Sequence, residues 1–186
     1  MKKILISMAV SSLLVLSSAQ AFDEKREGFI VGLGAGYSFV NNDVKSNTNT
    51  KFNVSSKNAH ALATSFKIGY GFNEQFSLYY LNNVSWFGFD ADKADDTYTA
   101  GMSAIAASYY LDPCSPWYIT GGIGLGSYGN FTEKESLSGA GIMLGAGYEI
   151  APHIQVEGNL MSVAVDKDGS DFSAVSANLT VNYLWY

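Results

Sequence analysis

From residue 28 onward one pattern recurs: large apolar side chains alternate with small or polar ones. In GFIVGLGAGYSFV (28–40), Phe29, Val31, Leu33, Ala35, Tyr37 and Phe39 fall on one parity. Ile30, Gly32, Gly34, Gly36 and Ser38 fall on the other. A period of two is the mark of a strand with two unlike faces, since successive Cβ atoms point to opposite sides. The pattern returns in 61–72, 117–129, 137–150, 153–165 and 172–186. Segments 75–87 and 98–111 alternate less cleanly, and their faces are not assigned from sequence. Each of the eight segments is long enough for a tilted membrane strand of about 9–11 residues.

The connections alternate too. Those after the odd segments are longer and polar: 41–60, 88–97, 130–136 and 166–171. Those after the even segments are short: Asn73-Glu74, 112–116 and Ala151-Pro152. Long loops at one end and tight turns at the other are the rhythm of an up-and-down outer-membrane barrel. Folded this way, aromatics gather at both ends. Phe29, Phe72, Phe76, Tyr109, Tyr110, Trp117, Tyr118, Tyr148, Tyr183 and Trp185 lie at the turn side. Tyr37, Phe39, Trp86, Phe87, Tyr98, Tyr128 and Phe172 lie at the loop side. Two girdles suit the two membrane interfaces.

The N-terminus supplies the compartment. Lys2 and Lys3, an apolar run from Ile4 to Leu16, and Ala19-Gln20-Ala21 have the layout of a secretory signal peptide cleaved before Phe22. The expected division is a signal peptide over 1–21 and one barrel domain over 22–186. No later window is long and apolar enough for a membrane helix. Yet hydrophobic residues make up 47% of the chain and charged residues 15%, against a usual charged share of about 25%. A chain so apolar, exported and without membrane helices points to the other spanning solution, a closed barrel. The net charge of −6, with no basic cluster, argues against nucleic acid as a partner. With one cysteine, Cys114, there is no internal disulfide framework.

One motif suggests a different protein. Gly124-Leu125-Gly126-Ser127-Tyr128-Gly129 spells the dinucleotide fingerprint G-x-G-x-x-G. That fingerprint needs a helix after it, and here a short polar loop and another alternating segment follow. The glycines are read instead as the inner face of a narrow barrel, making room for large inward residues such as Tyr118 and Met143.

The chain resembles the small OmpA/OmpX-like eight-stranded outer-membrane barrels of Gram-negative bacteria. The resemblance spans residues 22–186 and rests on the export signal, the strand and loop rhythm, GLGAGY, GGIGLG and the C-terminal LTVNYLWY. It implies an all-β, eight-stranded antiparallel up-and-down transmembrane barrel set in outer-membrane lipid and lipopolysaccharide. It also implies an assembly signal, Leu179, Val181, Tyr183 and Trp185, read by the barrel-assembly machinery. Tyr186 follows as one extra residue where the family usually ends in Phe.

Three charges fall on the inner face: Lys67, Glu149 and Glu157. They are read as either a polar constriction of a narrow pore or a structural ion pair in a plugged barrel. The second is favoured, because a buried charge needs a partner. Some barrels of this kind modify lipid A. The His-x-Ser pair of the deacylases is missing after both His60 and His153, so no catalytic residues and no cofactor are expected. DKDGSD places Asp166, Asp168 and Asp171 as in the start of a calcium loop, but Ala177 stands where the bidentate Glu would be. Asp-Gly is equally an ordinary hairpin turn. The expected role is structural or surface-interacting through the loops. A narrow channel or carrier for small solutes is the alternative.

Overall fold

A computed structural model describes residues 26–45, 57–88, 97–130, 135–167 and 170–186. The proposed signal peptide lies outside the described residues.

Eight strands follow in order: β1 (Gly28–Lys45), β2 (Lys57–Gly71), β3 (Phe76–Phe87), β4 (Tyr98–Tyr110), β5 (Trp117–Asn130), β6 (Glu135–Ala151), β7 (Ile154–Lys167) and β8 (Ser170–Trp185). Each pairs antiparallel with the next, and β1 pairs with β8, so the sheet closes into a barrel. Closure leaves no open edge along the paired ladders, which is what makes a sheet viable in hydrocarbon.

Several strands outrun their apolar patterns at the loop end. β1 continues through Asn41, Asn42 and Asp43 to Lys45, paired with β8 as far as Asp171. Backbone pairing does not need apolar side chains, so the ladder extends past the membrane band where the alternation stops.

The turn end is built from side-chain caps. Asn73 Oδ1 accepts from the backbone N–H groups of Gln75 (2.9 Å) and Phe76 (2.8 Å). Asp112 Oδ1 accepts from Cys114 N (2.9 Å). These are Asx turns, in which a short acceptor mimics a backbone carbonyl. The third turn departs from expectation. β6 runs through Ala151 with a register shift between Glu149 and Ala151, and His153 sits in the turn at φ 66° instead of opening β7. Left-handed backbone is uncommon away from glycine, though histidine is one of the residues that adopts it.

The faces follow the alternation. Leu33, Tyr37, Leu62, Ile119, Ile123, Leu125, Leu144 and Leu160 are all more than half exposed and point outward. The glycine-rich face points into the lumen, where Tyr118 and Met143 are each 1% exposed. β3 turns Ser77, Tyr79, Leu81, Asn83, Ser85 and Phe87 inward. β4 turns Ala100, Met102, Ala104, Ala106, Ser108 and Tyr110 inward. Their faces were illegible because Tyr79 and Tyr80 put equal bulk on both sides, as alanines do in β4.

The two aromatic girdles need one correction. Tyr110, Tyr118, Phe87 and Tyr128 are buried in the lumen and are not interfacial. Adjacent aromatics such as Tyr109-Tyr110 and Trp117-Tyr118 must split between faces, so only one of each pair meets lipid. Phe29, Phe72, Phe76, Tyr109, Trp117 and Trp185 are exposed at the turn side, and Tyr37 and Phe39 at the loop side.

Gly147 is among the glycines on which closure of the interior depends. A Cβ on Gly147 would overlap the ring and hydroxyl of Tyr118. Gly147→Val is expected to destabilise the barrel by about 1–3 kcal/mol through overpacking. Chemical denaturation in detergent micelles measures this, and Gly158→Ala, where no atom lies within 4 Å of the added Cβ, is the control.

Candidate functional site: the luminal charge stack

β2 and β7 face each other across the lumen. Lys67 and Glu157 project inward from them and meet, with Lys67 Nζ 2.6 Å from Glu157 Oε2. Both are buried, Lys67 at 2% and Glu157 at 0% exposure. Two ions removed from water are stable only if their remaining hydrogen-bonding capacity is met. Here it is. Asn159 Nδ2 donates to Glu157 Oε1 (3.1 Å). The Tyr118 hydroxyl lies 3.0 Å from Glu157 Oε2 and 3.1 Å from Gln155 Oε1. The ammonium also lies 5.3 Å from the Tyr79 ring centroid, within cation–π range.

A second pair sits one layer lower, at the turn end. Arg26 Nε donates to Glu149 Oε2 at 2.9 Å. Arg26 Nη1 donates to the carbonyls of Glu74 and Pro113 (both 3.1 Å), and Nη2 donates to that of Ser115 (3.0 Å). The guanidinium carbon lies 3.6 Å from the centroid of the Tyr110 ring. One side chain therefore ties the segment before β1 to β6 and to two turns, using the planar fork that lysine lacks. Arg26 was missed in the sequence, where it ends the polar run Asp23-Glu24-Lys25-Arg26. The signal was present: it is the chain's sole arginine, and inward Glu149 needed a cation.

The three inward charges expected from sequence are thus all luminal, but they form two pairs. Between these pairs and the loop end, Asn159, Asn178, Ser85 and Ser38 join in a chain of hydrogen bonds of 2.8–3.2 Å. Above them the lumen is filled by Val40, Ala59, Ala61, Phe87, Ala100, Tyr128 and Ala174, with Asn42 and Ser176 buried at the same level. A cavity of about 10 Å³ remains beside Lys67, Tyr79 and Tyr110, room for one water molecule.

The other candidates are scattered. His60 points outward and bonds the Tyr37 hydroxyl, with the Phe39 ring 5.7 Å away. His153 packs on Tyr183 and Tyr186 at the opposite end. Asp168 lies outside the described residues. Asp166 and Asp171 are paired in the β7–β8 ladder. Leu179, Val181, Tyr183 and Trp185 line the outer face of β8, each 42–56% exposed. Cys114 is exposed in the β4–β5 turn.

A closed eight-stranded sheet, apolar outside, polar and filled inside, with aromatic ends, defines an integral outer-membrane β-barrel protein. The chain belongs to the family of the outer membrane protein beta-barrel domain, whose model matches residues 8–184. Solved structures agree on the fold. Ail, the attachment invasion locus protein of Yersinia pestis, is similar at 14% identity and a TM-score of 0.58, over 86% of this chain and 99% of Ail. Neisserial surface protein A is similar at 13% identity and 0.53, over 84% and 96%. OprG from Pseudomonas aeruginosa is similar at 11% identity and 0.53, over 88% and 99%. No curated protein sequence matches the chain.

Proposed function

We propose that the protein is a non-conducting barrel that supports the envelope and presents its loop-end connections for surface interaction. The observation that carries this reading is the filled lumen. Two ion pairs occupy its lower half, and packed side chains including Val40, Phe87 and Tyr128 occupy its upper half. A solute path would have to displace both. Of its relatives in fold, Ail has been crystallised in complex with the heparin analogue sucrose octasulfate. That precedent supports a ligand-binding role. The acid-rich segment carrying Asp90, Asp92, Asp95 and Asp96 favours cationic partners there over polyanions.

Planar-bilayer recording tests the reading. The purified barrel is expected to give no steady open level. A steady unitary current that changes with Lys67→Met would replace this reading with the channel alternative. Shortening residues 46–56 and 89–96 to Gly-Ser linkers is expected to abolish surface binding to host or neighbouring cells while leaving the barrel folded.

A further inference from the structure

The lipid-facing surface carries a polar interruption that the lumen does not explain. Asn82 on β3 and Ser103 on β4 are register partners. Their chain neighbours Leu81, Asn83, Met102 and Ala104 are buried in the lumen, so both side chains face outward. They lie in the middle of their strands, between outward Phe76 and Trp86 on β3. The row through them reads Phe66, Asn82, Ser103, Leu125 across four strands. Polar groups at this depth are costly and are found where they meet partners.

Locally, their needs are only partly met. Asn82 Nδ2 donates to Ser103 Oγ at 2.9 Å, and the Tyr80 hydroxyl donates to the same oxygen at 3.1 Å. Ser103 Oγ thus accepts twice, which leaves its own proton to give. Among the described residues nothing donates to Asn82 Oδ1. The surface therefore holds an unused donor and an unused acceptor side by side, on adjacent strands.

We propose that this face is a dimer contact and that its occupant is a second copy of the chain. Copies inserted in one direction can be related by a twofold axis only if that axis runs along the membrane normal. Such an axis preserves depth, so each group meets groups of its own depth. Asn82 and Ser103 are register partners on adjacent strands tilted about 40°, so their depths differ by only about 3 Å, within reach of the asparagine side chain. An axis between β3 and β4 sets Asn82 Oδ1 of one copy against the Ser103 hydroxyl of the other, and the reverse. The patch is self-complementary, as an isologous interface requires. Ala107 and Gly121, outward on β4 and β5 and paired in register, keep the neighbouring wall low enough for close approach. Small residues and polar side chains together are what holds protein surfaces against one another in lipid.

The test is cross-linking in lipid nanodiscs and proteoliposomes. In a Cys114→Ser background, Asn82→Cys chains mixed with Ser103→Cys chains are expected to form a covalent dimer under mild oxidation. Leu144→Cys, outward on β6 and more exposed than Asn82, is expected to stay monomeric. With fluorescently labelled chains, Asn82→Leu and Ser103→Ala are each expected to weaken self-association about tenfold, the effect of losing about 1.4 kcal/mol. Ser103→Ala is the milder change and keeps the test decisive if Asn82→Leu folds poorly. Retained heat-modifiable mobility confirms folding of each variant. Wild-type monomer at every protein-to-lipid ratio, equal cross-linking at Leu144→Cys, or a cross-link only to a different protein in native membranes would overturn the proposal.

Discussion

Lys67→Met is expected to lower the stability of the folded barrel by about 3–5 kcal/mol, the usual effect of stranding one member of a buried ion pair. Glu157 would keep the Tyr118 and Asn159 donors but lose the ammonium 2.6 Å from Oε2. A carboxylate at 0% exposure has no water to turn to. Glu157→Leu is expected to cost a similar amount, because it strands the lysine. The informative variant is the double change. With both charges gone, Lys67→Met/Glu157→Leu is expected to recover most of the loss, since apolar replacement of a whole buried pair is often neutral or stabilising. Urea unfolding followed by tryptophan fluorescence in lipid or micelles measures all three variants. If both single variants unfold at the wild-type midpoint, the pair does not stabilise the lumen.

Arg26→Ala is the second large effect, expected at about 2–4 kcal/mol. A pair less deeply buried than Lys67–Glu157 loses somewhat less than the usual buried-pair penalty. The variant removes the guanidinium from Glu149 and strips donors from three carbonyls, those of Glu74, Pro113 and Ser115. Arg26→Lys is expected to recover only part of the loss, because one ammonium cannot reproduce the planar fork. The change should also be local. Hydrogen exchange is expected to rise in the 72–76 and 111–117 turns while the loop-end ladders stay protected. Uniform exchange across the barrel would mean that Arg26 acts on global stability and is not a clasp for one end.

How much of this was legible follows from what alternation encodes. A period of two assigns faces wherever one face is large and the other small. β1, β5, β6 and β8 were therefore readable, down to Tyr118 and Met143 as inward residues. β3 and β4 failed because Tyr79 and Tyr80, or runs of alanine, load both faces alike. The girdles were over-counted for a related reason: grouping aromatics by strand end ignores parity, which sends Tyr110 and Phe87 inward.

The site was legible as a set of residues and not as a set of contacts. Lys67, Glu149 and Glu157 could be placed on the inner face. Which carboxylate met the lysine depended on the stagger of the closed cylinder, which brings β2 and β7 together across β1 and β8. No local pattern carries that stagger. Arg26 lay outside any alternating segment, so only the need of Glu149 for a cation pointed to it. The left-handed His153 was hidden because β6 takes up Ala151 through a bulge, which shifts the turn by one residue.

The protein is a closed barrel resident in the outer membrane, and its gel mobility from isolated outer membranes, unheated and boiled in SDS, reports this. A fast-migrating folded form is expected, converting on boiling to one running near 20.0 kDa, less any cleaved signal. One band at the same position in both lanes, with the protein recovered from the periplasmic extract, would contradict it.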